Sequence, residues 1–132
     1  MTSVATPGGL RRFFRAMMVP FKISEVHGGV SHAFGTLYLE DEFLVIEYRI
    51  HVMDMFKRPP ETIKIELGVI SDIEFKQSLF GDRVRLLPKK LSVLDAVPGK
   101  HKDVVTFKTK KKYREPARRL VNEIRIRRLE RS

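Results

Sequence analysis

The sequence predicts a mainly β domain of about seven antiparallel strands that ends in one α-helix. Apolar and polar residues alternate over most of residues 21–108, which is typical of half-buried strands. Short turn sequences separate the alternating segments, and helical spacing of apolar residues begins only near residue 112. A small barrel or bent sandwich, with the helix covering one opening, accommodates this order of elements.

The strands follow one another in short steps along the chain. The first strand precedes the Gly28-Gly29 turn, and a hairpin turning at Asp41-Glu42 comes next. Further alternating segments follow, two of them separated by a turn at Gly81-Asp82, and the last strand ends near residue 108. From these strands and the helix we expect ten residues to be buried: Leu37, Leu39, Ile46, Ile65, Ile73, Leu86, Phe107, Leu120, Val121 and Ile124.

The C-terminal helix is predicted from residue spacing after position 112. Pro116 suits the first turn of a helix, where its missing N–H costs no hydrogen bond. Apolar residues then recur on one face from Ala117 to Ile124. We therefore expect the packed part to end near Ile124 and the turn of residues 125–128 to project past the sheet.

The sequence predicts a separate amphipathic helical segment in residues 1–20, ahead of a domain at 21–130. Between Gly8-Gly9 and Pro20, apolar residues take one helical face and three arginines take the other. A helix of about ten residues is marginal alone in water, so it needs a surface to lie on. The candidates for that contact are Phe13, Phe14 and Met17. The surface is the domain itself, a sister subunit or a membrane. A protein surface is favoured because the segment continues through Pro20 directly into the first strand and so lies close to the domain.

Composition narrows the class of protein. The 132 residues, 42% hydrophobic and 32% charged, suit one globular domain. The absence of cysteine excludes disulfides, thiolate zinc sites and a cysteine nucleophile. Arg15 and Pro20 interrupt any secretory signal, and no window approaches the roughly 20 apolar residues of a membrane span. We expect a cytoplasmic protein, with peripheral attachment at the inner membrane face as an alternative.

Positive charge is concentrated at one end of the chain. Of the net charge of +10, residues 108–132 carry +8, from eleven Lys or Arg against three Glu. A localised positive patch points to an anionic partner, and cations at a helix N-terminus oppose the helix dipole, which an anion would relieve. The competing interpretation is a solvated charged face. The candidate residues are Lys108, Lys110, Lys111, Lys112, Arg114, Arg118 and Arg119.

A second candidate contact lies in residues 51–60, which we interpret as a long connection between strands. The segment is apolar and then basic, a combination that suits a membrane interface. It would equally serve as a loop folded onto the domain or as a homo-oligomer contact. Its candidate residues are Met53, Met55, Phe56, Lys57 and Arg58.

Several short motifs follow one another along the chain, at residues 21–23 with Gly28-Gly29 and at residues 35–39, 65–73, 79–82 and 94–99. In this order they resemble bacterial pleckstrin-homology-type (PH-like) domains. The resemblance covers residues 21–128 and implies two nearly orthogonal sheets with a helix at one corner. The resemblance does not indicate which ligand is bound, because PH-like domains bind lipids, peptides or proteins on one scaffold. Phosphoinositide-binding members carry Lys and Arg in the first two strands and their loop, and residues 24–34 have neither, so that headgroup site is expected to be absent.

No motif in the chain predicts catalysis. His27-Gly28-Gly29 is not followed by a Gly-x-Ser-x-Gly nucleophile elbow, and the four histidines lack the spacing of metal ligands. We expect a non-catalytic module, without cofactor, metal or small-molecule substrate, that binds a protein partner or an acidic membrane surface. Homo-oligomerisation stays open. The alternative is a nucleic-acid-binding protein that uses the basic C-terminal strand and helix, which charge alone supports.

Overall fold

A computed structural model describes residues 17–26, 31–52, 55–56, 59–99 and 101–131 of the chain. Its helices are α1 (Leu91–Ala96) and α2 (Arg114–Arg131), with 3-10 turns at Leu67–Val69 and Lys111–Tyr113. The strands found in these residues are β1 (Val19–Val26), β2 (Ser31–Glu40), β3 (Phe43–Val52), β4 (Met55–Phe56), β5 (Glu61–Glu66), β6 (Ile70–Lys76), β7 (Asp82–Pro88) and β8 (Val105–Thr109).

All strand pairs are antiparallel, and the predicted fold class is confirmed. The order across the sheet is β4-β3-β2-β1-β8-β7-β6, and β5 also pairs with β3. Because β4 pairs with residues 51–52 of β3 and β5 with residues 43–48, the two short strands share one edge. The sheet therefore has seven strand positions, and α2 packs against β6, β1, β2 and β7.

The core lies between the inner faces of the strands and one face of α2. All ten residues predicted to be buried are buried. Phe21 and Phe107 meet edge to face, with ring centroids 5.0 Å apart, and join β1 to β8 through their side chains. Full burial of a large apolar side chain stabilises the fold by about 1.5–3 kcal/mol, so this face of α2 holds the helix to the sheet.

The end of α2 differs from the prediction. The arginines of residues 125–128 do not project past the sheet, because they bond to the β2–β3 turn and to β6, Arg125 through the carboxylate of Asp72. Arg127 donates a 2.6 Å hydrogen bond to the carbonyl of Asp41 in the β2–β3 turn, and Arg128 donates to the carbonyl of Ser71 in β6. Long arginine side chains bury their aliphatic stems while their charged heads reach such acceptors.

The N-terminal segment is described only from Met17 onward. Residues 10–16 of the predicted helix, with Phe13 and Phe14, lie outside the described residues. Met17 stands in a turn, is only 2% exposed and belongs to the core of the domain, while β1 already begins at Val19. Met17 thus lies against protein, in the core of its own domain, as the sequence favoured, and it is not a membrane or oligomer contact.

Two connections contain regular structure that the sequence interpretation left out. Residues 51–60 are not a plain loop, because Met55 and Phe56 form β4 against the end of β3. Met53, Lys57 and Arg58 lie outside the described residues. The segment before β8 contains the six-residue helix α1, whose residues Val93 and Leu94 join the core.

Candidate functional site

A cleft of about 620 Å³ opens where β1 and β8 part. The two strands are in register at Lys22 and Lys108. Beyond that pair Pro20 has no N–H to donate, which favours the separation of the strands there. The cleft is lined by Pro20, Phe21, Lys22, Phe34, Gly35, Leu79, Phe80, Gly81, Lys108, Thr109, Lys110, Lys111 and Tyr113.

The rim of the cleft carries two large apolar side chains in the turn between β6 and β7. Leu79 is 80% exposed and Phe80 is 99% exposed. Gly81 follows with φ of +126°, a backbone conformation that favours glycine. The turn therefore holds a leucine and a phenylalanine almost entirely in water, which is unusual for side chains of this kind.

A buried carboxylate holds this turn against α2. Asp82 accepts two hydrogen bonds of 2.9 Å from Arg114, the first residue of the helix. The same carboxylate accepts a 3.2 Å bond from the backbone N–H of Ser78, whose hydroxyl accepts one of 3.3 Å from the N–H of Phe80. The hydrogen bonds from Arg114 outweigh burial and hold the pKa of Asp82 below its ordinary value. The carboxylate therefore stays ionised at neutral pH, and hydrogen bonds link it through Ser78 to the backbone of Phe80.

Four lysines surround the cleft. Lys22 Nζ lies 5.6 Å from the ring centroid of Phe34, and Lys108 Nζ donates a 3.2 Å hydrogen bond to the hydroxyl of Ser24. None of the four, which include Lys110 and Lys111, forms an ion pair with any described residue. Because like charges directly opposite on paired strands are destabilising, Lys22 and Lys108 favour an anion between them.

The structure separates the basic residues that the sequence grouped together. Lys108, Lys110 and Lys111 line the cleft, whereas Lys112 lies over the ring of Tyr113 at 5.1 Å. These four follow one another on β8 and the 3-10 turn after it. Three residues of the predicted cluster therefore share the cleft, and Lys112 does not line it.

The predicted arginines of α2 serve other contacts. Arg114 is committed to Asp82, and Arg118 bonds Glu115 and lies over the ring of Phe75. Arg119 is exposed on the helix and does not line the cleft. These three residues therefore do not line the cleft.

Sequence reasoning missed the other half of the site. Lys22 and Phe34 reach the cleft from β1 and β2, which only the strand order brings beside β8. Leu79 and Phe80 did carry a readable signal, because two large apolar residues directly before Gly81 in a turn have no strand or helix face to occupy. The cleft joins these residues to the lysines in one place.

The described residues contain no group of three or more potential metal ligands. Among the helices they form, none has the length and apolar character to cross a bilayer. No family model matches the chain, and neither the curated proteins nor the solved structures contain a significant match to it. The geometry of the cleft and its rim is therefore the basis for assigning a function.

Proposed function

We propose that the chain is a non-catalytic binding module of the PH-like type that attaches to the acidic inner face of a membrane. The observation that carries this proposal is the pair Leu79 and Phe80, exposed at a turn tip beside four lysines that form no ion pair within the described part of the chain. The apolar tip would enter the interface while the lysines lie at the headgroups. The seven strand positions and the C-terminal helix support the PH-like assignment.

The expected affinity is that of a reversible contact. Insertion of one leucine and one phenylalanine contributes about 3–6 kcal/mol at full burial. Each lysine near an anionic surface adds about 1 kcal/mol. The sum for two apolar side chains and four lysines is close to the roughly 8 kcal/mol of a micromolar complex, before the cost of immobilisation is subtracted. Attachment therefore requires both the tip and the charge.

The shape of the tip favours a membrane over the other anionic partners. Nucleic-acid bases stack on aromatic rings, which would use Phe80 but leave Leu79 in water. At a protein interface, anchor side chains fill preformed packed pockets. A projecting apolar turn instead fits the bilayer interface, where lipids can rearrange around it. An aliphatic and an aromatic residue together at a convex point therefore suit the bilayer interface best.

Vesicle flotation tests the proposal. The wild type should float with vesicles that contain phosphatidylserine and stay behind with vesicles of phosphatidylcholine alone. The double variant Leu79→Ala/Phe80→Ala should lose flotation without a change in thermal stability, because both side chains are exposed. Leu91→Ala is the matched control, since Leu91 is 75% exposed but does not line the cleft. Flotation of the double variant at the wild-type level would contradict the proposal.

A charge-reversal pair tests the electrostatic half. Lys110→Glu/Lys111→Glu should abolish flotation, whereas Lys89→Glu/Lys90→Glu, outside the cleft, should reduce it only slightly. Two parallel assays test the other partners: binding of the protein to a labelled DNA duplex, and a pull-down from cell extract with the immobilised protein as bait. Binding to the duplex or to a protein without flotation would show that the membrane is the wrong partner.

A further inference from the structure

We propose that the cleft holds one molecule of a phospholipid whose headgroup is a phosphomonoester, such as phosphatidic acid. This inference rests on the proposed function and adds to it a specific ligand. The volume of about 620 Å³ lies in the range of sites that enclose a small ligand, whereas attachment by surface charge requires no cavity. The cleft also contains both kinds of surface that such a lipid requires.

The cationic side of the cleft matches a dianion. Lys22 and Lys108 stand opposite each other on paired strands, and Lys110 and Lys111 continue the positive wall. A phosphomonoester carries about −1.5 to −2 charge near neutral pH, so it can neutralise two facing lysines, which a singly charged phosphodiester cannot. Lysine binds phosphate as a point charge and does not require one fixed geometry.

The apolar side of the cleft matches the glycerol and the first part of the acyl chains. Phe21, Phe34 and Tyr113 form this wall, and Leu79 and Phe80 stand at its rim. With the rim inserted in the interface, the mouth of the cleft lies at headgroup depth. A lipid can then occupy the cleft with its headgroup while its chains remain in the bilayer.

A short-chain lipid below its micelle concentration separates this site from general membrane attachment. In isothermal titration calorimetry, monomeric dioctanoyl phosphatidic acid should bind. Dioctanoyl phosphatidylglycerol, which is a phosphodiester, should bind at least about tenfold more weakly, and so should inorganic phosphate. Amide chemical shifts should change first at Lys22, Phe34 and Thr109. Equal binding of the two lipids, or shift changes centred elsewhere, would overturn the proposal.

Two variants keep the outcome distinct from that of the flotation experiment. Lys22→Gln/Lys108→Gln removes the facing charges and should weaken monomer binding at least about tenfold. Lys89→Gln/Lys90→Gln should leave it unchanged. Monomer binding without flotation of the wild type would overturn the membrane function but support the cleft; flotation without monomer binding would overturn the cleft alone.

Discussion

Asp82 is the buried charge on which the β6–β7 turn depends, and loss of that charge should destabilise the fold. Its side chain is 0% exposed and accepts three hydrogen bonds, two of them from Arg114 and one from the backbone of Ser78. A hydrogen bond to a charged group contributes about 1.5–3 kcal/mol, and desolvation of the carboxylate offsets part of the total. Asp82→Asn preserves the shape, so we expect a loss of about 2–4 kcal/mol in the free energy of unfolding.

Acidification should remove the difference in unfolding free energy between the wild type and Asp82→Asn. The direction of this pH dependence follows from the pKa of Asp82. The guanidinium of Arg114 lowers that pKa in the folded state, while the unfolded carboxyl has its ordinary value of about 3.9. The stabilisation is therefore present above about pH 4 and is lost as the pH falls through the folded pKa. Urea denaturation of the wild type and Asp82→Asn between pH 7 and acid should show the two curves converging below about pH 4.

Glu40 provides a control with the same 2.9 Å ion-pair distance, but with a single bond and an exposed site. Its carboxylate lies 2.9 Å from Lys64 Nζ, but both side chains are about half exposed. Exposed ion pairs contribute about 0–1 kcal/mol, so Glu40→Gln should have little effect. If Asp82→Asn costs no more than Glu40→Gln, or if its cost is independent of pH, burial is not what makes this carboxylate important.

Three further outcomes can be checked on the purified domain. Gly35→Ala should cost about 3 kcal/mol or more, measured by thermal melting, because its Cβ would lie 1.7 Å from the carbonyl oxygen of Glu47 and force β2 from β3. Phe107→Ala should cost about 3–5 kcal/mol in urea denaturation, since it empties a fully buried position beside Phe21; a cost near 1 kcal/mol would mean that the core closes around the gap. Burial, and then the hydrogen bond to Glu47, raises the pKa of Tyr38 above its ordinary value of about 10. Absorbance titration should show this tyrosine ionising late, and Glu47→Gln should bring its titration to lower pH.

Burial could be predicted because it depends on local period more than on topology. Leu37 and Leu39 lie on one face of a strand whichever strands are its neighbours. Leu120 and Ile124 likewise share one face of a helix wherever the helix packs. The fold class follows from the same periods, which is why it could be predicted without a match to any known protein.

The cleft could not be predicted in the same way because its parts come from distant segments. Lys22 meets Lys108 only because β1 and β8 are neighbours in the sheet, and strand order is not encoded in either segment alone. The reach of Arg128 to β6 depends equally on where the helix lies. Helix α1 has six residues, too few for its spacing to be distinguished from that of a loop.

The divided edge of the sheet limits how copies of this domain can meet. An unbroken edge strand offers a row of N–H and C=O groups to any neighbouring chain. Here that edge consists of β4 with two residues and β5 with six, and the exposed Pro59 and Pro60 directly before β5 have no N–H to offer. At the opposite edge, β6 packs against α2. These features disfavour pairing of the β4–β5 edge with a second copy into an extended sheet.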